Sequence, residues 1–246
     1  MLQSRFYRFI ISAVLSVILM IALVAFTSDT DPSRILTMLG GTMPEGIIQG
    51  VTYFLFIFGM LEIYVLLNRL SVESDAFNAH FLPEKENWVM DVDDVNQLKL
   101  NMQQIEHTNK YYLTDLIKKA CIKYRLNKSS SEVLGLVESQ VKIYNSNMES
   151  EQSFISYVAW AIPSVGFIGT VLGIAASLGY ANQATTPEGI EKVTSMLAVA
   201  FDTTLVALVL SVILMYFIHY LHKKQDAFFA RLSSYMIENL INRLYK

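Results

Sequence analysis

The chain has 246 residues, of which 53% are hydrophobic and 17% charged, with a net charge of −3 and a mean hydropathy of +0.37. A soluble domain of this size carries about 25% charged residues, so the composition excludes one and indicates an integral membrane protein. The lone cysteine, Cys121, excludes a disulfide framework and a multi-cysteine metal site, and neither a nucleic-acid partner nor a cofactor is expected.

Four stretches are apolar for the roughly 20 residues that a bilayer core of about 30 Å requires: about 9–26, 47–67, 154–180 and 193–221. Arg5 and Arg8 before the first could mark a cleaved signal peptide, but the apolar run is too long and "AFTSDTDPSR" offers no A-x-A-like site, so it is read as a span. Four spans put both termini on one side. Arg5, Arg8, Arg69, Lys223 and Lys224 flank the spans on that side, which the positive-inside rule makes the cytoplasm. The opposite loops, Thr27 to Gly46 and Ala181 to Lys192, hold only Arg34 and Lys192. The expected organisation is a transmembrane hairpin over 1–70, a cytoplasmic helical region over 71–152, a second transmembrane hairpin over 153–221 and a cytoplasmic helical tail over 222–246.

In the loop after the second span, Val95, Leu98, Met102, Ile105, Leu113, Leu116 and Ile117 recur at about helical spacing until "NKSS" interrupts. Ser129 and Glu132 then form a capping-box pattern for a new helix. No Gly or Pro follows Gly135 until Pro163, so this helix is expected to run into the third span. The fourth likewise continues through "HKKQDAFFARLSSYMIENLINRLY". Both should project into the cytoplasm, where Met236, Ile237, Leu240 and Leu244 are expected to pack rather than hang free. "DVDDVNQ" (Asp91 to Gln97) lacks the glycine and terminal Glu of a calcium loop and reads as a cap-rich turn.

The stretch "IPSVGFIGTVLGI" thins the third span with poor helix formers. On a helical wheel Ala159, Pro163, Gly166, Thr170, Gly173, Ser177 and Ala181 fall within about 60° of Thr170. The fourth span repeats the pattern with Ala200, Thr204, Ala207 and Ser211. Such faces either pack helices closely, as in GxxxG pairs, or line a shared lumen whose hydroxyls meet an ion or proton donor. Composition alone leaves both open.

These two stretches, "IPSVGFIGTVLGI" with Pro163, Gly166, Gly169, Thr170 and Gly173 in register and "AVAFDTTLVALVLSV" in the next span, resemble the MotA/TolQ/ExbB family of ion-driven motor stators. The likeness covers about 159–220, and the four-span layout is similar to the MotA branch. It implies an all-α membrane fold that assembles as a homopentamer around two copies of a single-span partner, each with an intramembrane aspartate and a periplasmic domain. It also implies that Thr170 and Thr204 take the positions of the pore threonines, with Thr203 opening the MotA-type threonine pair, and that H+ or Na+ passes. Where TolQ/ExbB members carry an acid before the second threonine stands Val199. The proline nearest to that which opens the last MotA helix is Pro187.

Asp202 lies about 160° from Thr204 on the wheel, so it is expected to face away from the lumen and to be protonated or bonded to a hydroxyl on a neighbouring helix, where it could relay an ion. Glu62, a turn from the end of the second span, reads as a snorkelling interfacial acid. His107, His219 and His222 lack ligand spacing, and the sequon at Asn127 falls on the cytoplasmic side. No intramembrane protease motif is present, so an enzyme is not expected. The competing reading is a non-conducting scaffold whose small faces only pack.

Overall fold

The computed structural model describes residues 2–28, 34–40, 46–83, 89–108 and 110–244, with the side chains of 2–4, 28, 107 and 108 outside the description. The side chain of His107 and parts of the Thr27 to Gly46 loop and of the extreme C-terminus therefore lie outside it. Among the described residues seven α-helices follow one another: α1 (Leu2–Ser28), α2 (Arg34–Met38), α3 (Ile47–Asp75), α4 (Val92–Thr108), α5 (Tyr112–Asn127), α6 (Ser130–Gly179) and α7 (Pro187–Asn239). Among the described residues there is no strand, and Met90 and Leu244 form one parallel bridge. Among the described residues α1, α3, α6 and α7 are long and apolar enough to cross a membrane. Pro187 opens α7, the position where a missing N–H costs no helical bond.

The chain divides into two compact units, Met1–Tyr64 with Ser153–His219, and Val65–Gln152 with Tyr220–Lys246. In the first, small residues set the packing distances. A Cβ on Gly50 would stand 3.3 Å from Met20, and one on Gly59 would stand 3.0 Å from Leu214 and 3.5 Å from Val158, so α3 closes on α1 at one point and on α6 and α7 at the other. Phe9, Phe54, Phe58 and Phe154 interlock at ring separations of 5.0 to 6.2 Å. The outward residues, among them Phe6, Ile18, Tyr64, Phe167, Leu178 and Val212, are apolar and exposed, the pattern of helices whose solvent is lipid.

In the second unit Val95, Met102, Leu113, Leu116 and Ile117 are buried, as their spacing predicts, and Leu98 and Ile105 are half-buried. The continuous periodicity read across 95–117 is nonetheless broken: α4 ends at Thr108 and α5 starts at Tyr112. Local hydrogen bonding makes the break. Tyr111 is extended (φ −106°, ψ 152°), its N–H donates to Thr114 Oγ1, and Tyr112 N–H donates to the Glu73 carboxylate at 2.8 Å. The capping box at Ser129 forms by half. Glu132 N–H donates to Ser129 Oγ at 3.4 Å, but the Glu132 carboxylate turns to Lys123 at 2.7 Å and to Asn127. Asp91 caps α4, accepting from Asp93 N–H at 3.0 Å and Asp94 N–H at 2.8 Å. In the tail Met236, Leu240 and Leu244 are buried, and Ile237 is half-buried. Met90 N–H donates to Arg243 O at 2.8 Å, and Arg243 donates to Pro83 O.

Candidate functional site: the hydroxyl seam of the third and fourth spans

Three glycines of α6 bring α7 to backbone distance. A Cβ on Gly166 would stand 2.5 Å from Ala207 Cβ and 3.2 Å from Thr203 O; one on Gly169, 2.7 Å from Thr203 Cβ; one on Gly173, 2.9 Å from Ala200 Cα. Any larger residue would push the helices apart. The small faces of α6 and α7 thus bury one another inside one protomer, which is the packing expected of GxxxG-type stripes.

Pro163 sits inside α6 without ending it. Its missing N–H leaves Ala159 O, four residues back, without the usual helical donor. Ser211 of α7 supplies one, donating from Oγ to Ala159 O at 3.2 Å. Ser211, one of the hydroxyls that a lumen would present, thus completes a broken helical ladder. Ser177 is likewise 6% exposed and donates to Val193 O at 3.1 Å.

Between these two points three threonine hydroxyls converge on two carbonyls. Thr170 Oγ1 lies 2.9 Å from Ala200 O, Thr204 Oγ1 lies 2.9 Å from Gly166 O, and the two hydroxyls touch each other. Thr203 Oγ1 donates to Ala200 O at 2.9 Å and approaches Gly166 O at 3.4 Å. Thr203 is buried, whereas Thr170 and Thr204 are half-buried at the edge of the seam. Thr170 Oγ1 also lies 3.5 Å from Gly166 O, so each hydroxyl has more acceptors in reach than its single hydrogen can serve, and each oxygen can accept as well. Such a pair can donate to, or accept from, a group arriving from outside.

Asp202 is buried on α7, and its partner is a guanidinium rather than the expected hydroxyl. Its carboxylate accepts from Arg34 Nη2 at 3.0 Å, so a residue counted only for topology supplies the countercharge. An acid inside a span is stabilised by the nearest cation with a long enough stem, and a single arginine in a short neighbouring loop is the signal that points to it. Glu62 does not snorkel either. Its side chain is 3% exposed, accepts from Arg8 Nε at 2.8 Å and Nη2 at 3.1 Å, and has Arg5 at 3.6 Å. A bidentate arginine holds it inward more strongly than interfacial water draws it out.

A hollow of about 690 Å³ between α1 and α3, lined by Phe9, Ala13, Ser16, Met20, Val51 and Phe54 among others, is almost entirely apolar and holds none of the threonines. Among the described residues no cluster of His, Cys, Asp and Glu could hold a metal ion. His219 and His222 both lie on α7.

All-helical, with four membrane-length helices and a hydroxyl cluster shared by two of them, the chain is by class a multi-pass membrane protein. The MotA/TolQ/ExbB proton channel family matches residues 106–234, just over half of the chain, and the chain belongs to that family. The matched region contains the whole hydroxyl seam. No curated protein and no solved structure matches the chain.

Proposed function

We propose that the chain is the channel-forming stator subunit of a motor driven by proton or sodium motive force. Five copies surround two copies of a single-span partner in the bacterial inner membrane, with both termini of each copy in the cytoplasm. The observation that carries this reading is the half-buried Thr170–Thr204 pair, two hydroxyls in contact at the edge of the seam, lying inside the region matched by a proton channel family. An intramembrane carboxylate of the partner would accept from the Thr170 and Thr204 hydroxyls. Its protonation removes the charge and lets it leave the pair, so that one helix assembly can turn within the other. Passage of one charge across 100 mV supplies about 2.3 kcal/mol, enough to bias a step between near-equivalent rotational positions of the two assemblies.

The glycines and alanines of the stripe belong to packing, and a scaffold would need nothing more. It would have no use for threonines left half-exposed at the seam's edge. Native mass spectrometry of the chain co-expressed with a single-span, aspartate-bearing protein from a neighbouring gene tests the assembly. Five copies with two partner chains are expected; monomers or dimers alone would contradict it.

A further inference from the structure

A second pocket, about 370 Å³ in volume, is lined by Leu67, Leu70, Ser71, Ser74, Tyr220 and Lys224, all within the second unit. Its lining changes character along the helices. Leu67 and Tyr220 stand at the ends of the apolar stretches of α3 and α7, while Ser71 and Lys224 come about one turn later and Ser74 about two. The apolar wall therefore lies at the level where a bilayer's hydrocarbon ends, and the donors lie at the level of the headgroups.

These donors are unengaged. Serines elsewhere on the long helices donate to carbonyls, as Ser12, Ser164, Ser195 and Ser211 do. Among the described residues, Ser71 and Ser74 make no intramolecular hydrogen bond and Lys224 no ion pair; Lys224 Nζ rests 5.5 Å from the centre of the Tyr220 ring. One ammonium and two hydroxyls around a concave site suit the oxygens of a phosphate. No carboxylate lines the pocket to receive the ammonium of a zwitterionic headgroup.

We propose that this pocket binds an anionic phospholipid, its phosphate held by Lys224, Ser71 and Ser74 and its glycerol and upper acyl carbons against Leu67, Leu70 and Tyr220. The site rests on α3 and α7 crossing a bilayer and is independent of ion conduction. A bound lipid would brace the ends of two spans against each other.

The test is lipid retention by the purified oligomer, read by native mass spectrometry during titration with phosphatidylglycerol or with phosphatidylcholine of the same acyl chains. Phosphatidylglycerol should be retained preferentially, and Lys224→Gln should weaken it roughly fivefold, the effect of one basic residue at an anionic surface. Lys224 is exposed, so this variant should fold. Lys224→Arg should keep most of the binding, and the double change Ser71→Ala, Ser74→Ala should reduce it. Lys223→Gln removes the same charge one residue away, outside the pocket, and should have no effect. Equal weakening by Lys223→Gln and Lys224→Gln would reduce the site to diffuse surface attraction and overturn the proposal. So would equal retention of phosphatidylcholine, or displacement of the lipid by inorganic phosphate, which would mark a site for the free ion.

Discussion

Pro163 and Ser211 are two halves of one local solution: the proline opens a gap in the α6 ladder, and a hydroxyl from α7 fills it. Ser211→Ala leaves Ala159 O without either donor inside a span, at a cost of about 1–3 kcal/mol. Pro163→Ala restores the N–H, so in that background Ser211→Ala should cost little. Thermal melting of the two single variants and the double variant checks the coupling; equal costs of Ser211→Ala in both backgrounds would show that the bond to Ala159 is idle. Outside the spans, Asp115 accepts from Lys119 Nζ at 2.7 Å and from the Tyr144 hydroxyl. Burial works against its ionised form, but these hydrogen bonds and the charges of Lys119 and Lys118 outweigh it and hold the carboxyl below its ordinary value of 3.8. A depressed carboxyl pKa contributes stability that is fully present above the unfolded value and lost as pH falls through the folded one. Asp115→Asn should therefore lower the melting temperature at neutral pH, with the gap to the parent closing as pH drops below 3.8. A gap that stays constant into that range would mean that the charge of Asp115 contributes nothing.

At the scale of elements, the four long helices were legible because hydropathy needs only composition over about 20 residues, and the continuity of α6 and α7 followed from the absence of breakers. The break between α4 and α5 was not legible in that way. It depends on Glu73, far off in sequence, accepting from Tyr112 N–H, and no local periodicity encodes that bond. The small faces were readable from spacing, but their division of labour was not. Glycine against Ala200 and Ala207, serine against an orphaned carbonyl, and threonine against threonine all look alike on a helical wheel. Charges went unread for the same reason: Arg8 and Arg34 find Glu62 and Asp202 only once separate helices are placed together. The C-terminal part of α7 is bound into its unit, since Phe228 and Phe229 pack on Tyr112 at 6.3 and 5.9 Å and Tyr235 on Phe77 at 5.4 Å. Truncation after Lys224 should thus loosen the unit. Cys121 reports it: burial pushes its thiol up to about 12, so the intact chain should resist alkylation at pH 8 and the truncated chain should react. Equal resistance in both would show that the tail is a free appendage.

Across the whole molecule, one helix pair carries both the packing that assembles the membrane unit and the hydroxyls proposed to meet an ion, within a chain of the MotA/TolQ/ExbB family. Packing and conduction make opposite demands on the same residues, and valine separates them because it keeps the shape of threonine and deletes the hydroxyl. The most direct measurement is ion flux into liposomes containing the chain and its single-span partner, compared for Thr170→Val, Thr204→Val and Thr194→Val. Thr194 is exposed and bonds only within its own helix turn, to Ile190 O and Glu191 O at 2.9 Å. Thr170→Val and Thr204→Val should each cut flux on the order of tenfold while the oligomer stays intact, and Thr194→Val should leave it within about twofold. Full flux from both seam variants would contradict the account and leave α6 and α7 as a packing pair alone.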